Sequence, residues 1–188
     1  MTRLPRIFST LLAPLGLLAL TAAQAAPNQA LIERGGYLVR AMTCSDCHTP
    51  WKMGPKGPAP DFSRGLSGHP ENMPLPPTPS PNGPWLWGGA ATNTAFWGPW
   101  GVSFAANLTP DPETGIGNWR LEDFIKTLRS GQHLGVGRPL LPPMPWPGIK
   151  QLSDHDLTAI FAYLRAQPPV RNAVPPAQPP AATTAAAH

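Results

Sequence analysis

Apolar residues recur at helical spacing in three stretches of this 188-residue chain, and no stretch between them shows the alternation of a half-buried strand. From Gln29 to Met42, the residues Leu31, Tyr37, Leu38 and Ala41 form one apolar stripe and predict a first helix. A second is expected over Arg120 to Arg129, with Asn118 as its N-cap, Leu121, Phe124, Ile125 and Leu128 on one face, and Gly131 as a stop. The third is the clearest: Ser153 with Asp156 resembles a capping box with Asp in place of Glu, and Leu157, Ile160, Phe161 and Leu164 recur until Pro168 ends the pattern. Gly35 and Gly36 cost the first helix about 1 kcal/mol each relative to Ala. That cost fits a close approach by the last helix, with Phe161 or Tyr163 as the neighbour. The expected fold class is therefore all-α with long loops.

The N-terminus carries Arg3 and Arg6, an apolar run from Ile7 to Leu20, and the small-x-small triplet Ala23-Gln24-Ala25. This reads as a secretory signal peptide over residues 1–25, with an uncleaved anchor as the alternative. Pro14 and Gly16 break a run already too short to prefer spanning a bilayer, and no later stretch is apolar enough to do so. The mature chain is thus expected in a bacterial periplasm without a transmembrane span. Without Arg3 and Arg6, 12 basic residues face 10 acidic ones, and no clustered basic stripe points to nucleic acid.

Proline and glycine, 28 and 18 residues, approach the range of low-complexity disorder, but they are concentrated. Met73 to Pro84 holds six prolines, and residues 168–188 are almost all Pro, Ala, Thr and Gln, which predicts a disordered tail. Residues 26–167 suit one domain built around a large cofactor.

Cys44-Ser45-Asp46-Cys47-His48 supplies the chemistry. On a helix, Cys44, Cys47 and His48 stand at i, i+3 and i+4 and share a face. Two thiols can then form thioethers with one haem c while the adjacent imidazole ligates its iron. A structural zinc site would need more ligands than two cysteines and the distant His133 and His155 provide. A thioredoxin-type dithiol would need a βαβ context, and a disulfide would leave His48 unexplained.

The function turns on the sixth ligand. Met144, in the rigid Pro142-Pro143-Met144-Pro145-Trp146 segment, is the first candidate, because prolines hold a short arm at fixed φ and a thioether favours reduced iron. Core packing of Met144, or ligation by Met73, His69 or His133, are the alternatives. Met53 stands only five residues after His48, too near to travel round the porphyrin edge.

With the haem motif early, the Pro-Met-Pro loop late and an amphipathic helix at the end, residues 31–167 resemble a class I, mitochondrial-type monohaem cytochrome c. Asn107 to Gly117 and Pro142 to Trp146 are similar, more narrowly, to cytochrome subunits of bacterial periplasmic dehydrogenases. The resemblance implies a cytochrome c fold of three or four helices around one covalently bound haem, held by Cys44 and Cys47, with His48 proximal and Met144 distal. It implies a periplasmic electron carrier, not an enzyme, working between a dehydrogenase and a terminal acceptor. The competing function is a haem enzyme or gas sensor with an open sixth site; another is an integral subunit of a dehydrogenase complex.

The chain departs from a minimal cytochrome c in its long insert after His48. Trp85, Trp87, Phe96, Trp97, Trp100 and Phe104 crowd this insert, either capping the haem edge and completing a small core or forming a docking surface. Arg138 is read equally as a propionate partner or a surface arginine. Asp111-Pro112-Glu113-Thr114-Gly115 is read as an acidic turn, with no metal expected beyond haem iron.

Overall fold

The structure, a computed structural model, describes residues 17–75 and 86–180. Helix α1 spans Leu17–Ala41, α2 Cys44–His48, α3 Leu121–Ser130, α4 Trp146–Ile149 and α5 Asp154–Arg165. Helix α1 begins earlier than the pattern predicts, so it takes in residues 17–25 of the expected leader; residues 1–16 of that leader lie outside the described residues.

The all-α expectation is corrected by two small antiparallel sheets, which make the chain mixed α/β. Strands β1 (Trp51–Gly54) and β2 (Gly57–Pro60) form a hairpin in which Trp51 faces Pro60 and Gly54 faces Gly57. Strands β3 (Gly88–Gly89), β4 (Ala95–Gly98) and β5 (Gly101–Phe104) pair in that order. None exceeds four residues, and Gly and Pro fill much of β1 to β3, so no alternating pattern could reveal them.

The core lies where α1 crosses α5 and α3 closes beside them. Leu38 and Val39 of α1, Phe124 and Leu128 of α3, and Leu157, Ile160 and Leu164 of α5 are buried in one cluster. Fully burying a side chain such as Leu157 or Leu164 contributes about 1.5–3 kcal/mol. Val39 takes the place expected of Tyr37, which is exposed with Arg34 over its ring. The glycines do what their cost suggests. A Cβ on Gly35 would fall 1.9 Å from the Ala159 carbonyl oxygen, and one on Gly36 would fall 2.9 Å from the Tyr163 ring, so Tyr163 rather than Phe161 is the neighbour.

Ser153 caps α5 by accepting from the Asp156 backbone N–H at 3.1 Å. Helix α3 is entered differently from the expectation. Asn118 donates instead to the Pro112 carbonyl (2.8 Å), while the Asp123 carboxylate accepts from the Arg120 backbone N–H (3.3 Å) and guanidinium (3.1 and 3.2 Å).

Residues 168–180, where composition predicts disorder, run across the body as a strap. Gln178 and Val102 exchange backbone hydrogen bonds of 2.9 Å, extending the second sheet by one residue, and Asn172 is fully buried. Residues 181–188 of the expected tail lie outside the described residues, as do 76–85 of the proline-rich segment, with Trp85.

Candidate functional site

The end of α1 delivers the motif. Met42 N–H still bonds to the Leu38 carbonyl, then Thr43 turns through a left-handed conformation (φ 53°) and Cys44 opens the five-residue α2. Cys44, Cys47 and His48 therefore share one short helix, as the spacing requires. Both cysteines are free and half-buried, not bridged to each other. Burial pushes the Cys44 thiol up to about 11, and burial together with the Asp46 carboxylate raises Cys47 as well. Both thiols are therefore neutral in the free chain, and any bond they form begins with loss of the thiol proton.

His48 is buried, and its Nδ1 lies 2.8 Å from the Ala106 carbonyl oxygen. A carbonyl can only accept, so Nδ1 carries the proton and Nε2 keeps its lone pair. Burial lowers the His48 pKa, with the Ala106 bond acting the other way, which keeps the ring neutral as ligation demands. A loop from Leu66 to His69 frames this bond. Gly68 N–H donates to the His48 carbonyl (2.8 Å), His69 N–H to Ala105 (2.9 Å), and Leu108 N–H returns to Leu66 (2.9 Å). Two unbridged thiols and a neutral imidazole with one nitrogen tied back form a donor set that fits a covalently held haem.

Met144 sits just before α4, half-buried against the same core cluster that Cys44 borders. Its N–H bonds to the Leu141 carbonyl at 3.2 Å, and the Ser103 hydroxyl of β5 donates to the Pro142 carbonyl at 2.6 Å. The aromatic insert thus reaches the Met144 loop through its last strand. Trp100 Nε1 donates to the same Ser103 hydroxyl (3.3 Å), Phe96 is buried, and Phe104 leans on His69 with ring centroids 4.9 Å apart. Trp87 remains exposed beside Phe96.

The alternative ligands are placed differently. Met53 is 77% exposed on β1, and Met73 is exposed too. His69 is fully buried with both nitrogens engaged, Nδ1 with the Thr94 hydroxyl (2.9 Å) and Nε2 with the Met73 carbonyl (3.1 Å). His133 meets the Trp119 ring edge-on at 5.2 Å. Met42 also packs against the core, two residues before Cys44.

Arg138 lines an open surface groove of about 350 Å³ with Trp100, Leu141 and the strap prolines. The Asp111 carboxylate is spent within its own turn, accepting from Glu113 N–H (3.2 Å), Thr114 N–H (2.7 Å) and the Thr114 hydroxyl (2.6 Å). Among the described residues, no three His, Cys, Asp or Glu side chains gather as a metal cluster, and no helix is long and apolar enough to cross a membrane. The residue sequence reasoning missed is Asn172, whose environment is built wholly from distant segments.

No family model matches the chain. Curated relatives do. The chain is 32% identical over 148 residues to a nicotinate dehydrogenase subunit of Pseudomonas putida, covering 79% of this chain and 10% of that protein. It is 35% identical over 136 residues to the cytochrome c subunit of alcohol dehydrogenase (quinone) of Gluconobacter oxydans, covering 72% and 21%. It is 34% identical over 157 residues to the gluconate 2-dehydrogenase cytochrome c subunit of Pantoea cypripedii, covering 84% and 27%. The chain therefore spans between a tenth and about a quarter of the length of these relatives.

Proposed function

We propose, from its similarity to cytochrome c subunits of bacterial dehydrogenases, that this chain is a periplasmic monohaem electron-transfer protein rather than a catalytic one. It would take single electrons from a dehydrogenase and pass them to a downstream acceptor. The observation that carries the reading is His48, buried, neutral and tied through Nδ1 to Ala106, one residue after the second of two free thiols.

Cys44 and Cys47 would each form one thioether, fixing the group to α2. His48 Nε2 would be the proximal ligand and Met144 the distal one. When bound, the haem supplies a one-electron ferrous–ferric couple. The residues around it hold both ligands in place: the Ala106 carbonyl keeps the imidazole oriented, and the Ser103–Pro142 hydrogen bond braces the methionine loop. A ligand set that does not change with oxidation state keeps reorganisation small. Contacts with redox partners would be brief and of small area.

Stopped-flow mixing of the ferrous protein with carbon monoxide tests the reading against an open-site enzyme or sensor. Slow or absent binding is expected. Rapid stoichiometric binding would show a vacant sixth position and favour the alternative.

A further inference from the structure

We infer that Asn172, in the C-terminal strap, is a positioning residue for the proximal ligand His48; the inference rests on the electron-carrier reading above. Its side chain is fully buried and uses all of its hydrogen-bonding capacity. Nδ2 donates to the carbonyls of Ser67 (2.7 Å) and His69 (2.8 Å), while Oδ1 accepts from Arg64 Nη2 (2.9 Å) and Glu71 N–H (3.0 Å).

The two carbonyls it holds flank Gly68, and Gly68 is the contact point with the ligand's support. Its N–H donates to the His48 carbonyl, its φ is +76°, and a Cβ there would fall 2.3 Å from Ala105 O and 2.6 Å from the Ala106 carbonyl carbon. Asn172 thus clamps the loop that lies against the Ala106 carbonyl, the acceptor of the His48 Nδ1 proton. The strap is tied to the other side of that carbonyl as well. Asn107 Nδ2 donates to Val170 O (2.8 Å), Val170 N–H to the Thr109 hydroxyl (3.1 Å), and Asn172 N–H to the Thr114 hydroxyl (2.9 Å).

A firm Nδ1–H···O=C bond makes the imidazole a stronger donor, which favours ferric iron. Loosening the clamp should weaken that bond and raise the reduction potential. A merely structural loss that admits water to the haem would lower it instead, so the sign separates the two.

The test compares purified holoprotein of wild type and Asn172→Ala by potentiometry and by hydrogen exchange. The potential should rise, and the Gly68, His69 and Leu108 amides should exchange about tenfold faster while amides of α3 and α5 keep their wild-type rates. An unchanged or lowered potential, or acceleration spread evenly over all helices, would overturn the inference. Should Asn172→Ala fail to fold, Arg64→Met removes one of the four contacts and should shift both readouts in the same direction by less; wild-type values there would overturn it equally. A wild-type protein whose iron lacks His48 would instead overturn the electron-carrier reading.

Discussion

Gly35 faces Ala159 so closely that any side chain at 35 would strike backbone, 1.9 Å from the carbonyl oxygen. The α1–α5 crossing has no slack there, because a helix backbone cannot tilt away as a side chain can. Gly35→Ala should cost about 2–3 kcal/mol through overpacking. Gly36→Ala meets the Tyr163 ring at 2.9 Å, and a ring can swing, so it should cost less than half as much. Denaturant titration of both variants checks the order; equal losses would contradict this packing.

The same crossing carries an ion pair, Arg34 Nε to Asp156 Oδ1 at 3.0 Å. The Arg34 hydrogen bond holds the Asp156 carboxyl below its ordinary pKa. A depressed folded-state pKa stabilises the protein above the ordinary carboxylate value, and that stability is lost as pH falls through the depressed one. Arg34→Ala should therefore cost about 0.5 kcal/mol at neutral pH, where solvent screens the pair, and almost nothing once the pH has fallen through the depressed Asp156 value. Thermal unfolding of both proteins across that range would show the two stability curves converging in acid.

Ser103 links the aromatic insert to the methionine loop. Ser103→Ala leaves the Pro142 carbonyl without its 2.6 Å donor and should cost about 1–2 kcal/mol. With the loop less restrained, the ferrous variant should also bind carbon monoxide at least several-fold faster than wild type. A variant that loses stability while its binding rate stays the same would show that the insert does not brace Met144.

Much of this was legible in the sequence because the signals are local. The shared helix of Cys44, Cys47 and His48 needs five consecutive residues, and the α5 stripe of Leu157, Ile160 and Leu164 needs only helical spacing. Even the Gly35 and Gly36 contact followed from the local cost of glycine in a helix. The strands were hidden for the same reason, since two to four residues such as Gly88-Gly89 or Gly57-Pro58-Ala59-Pro60 hold no period. Asn172 was beyond reach altogether. It lies in a segment whose composition reads as disorder, and its partners Ser67 and His69 stand over a hundred residues earlier. Nothing within a window around Asn172 marks it as buried.

On the proposed function, His48 and Met144 together would close the iron's coordination. The ferric protein matured in a periplasm should show the weak far-red sulfur-to-iron charge-transfer band, and Met144→Ala should abolish it while Met73→Ala leaves it unchanged. A wild-type protein that is high-spin, or low-spin without that band, would contradict the account and place an open site or a nitrogen ligand such as His133 in its stead.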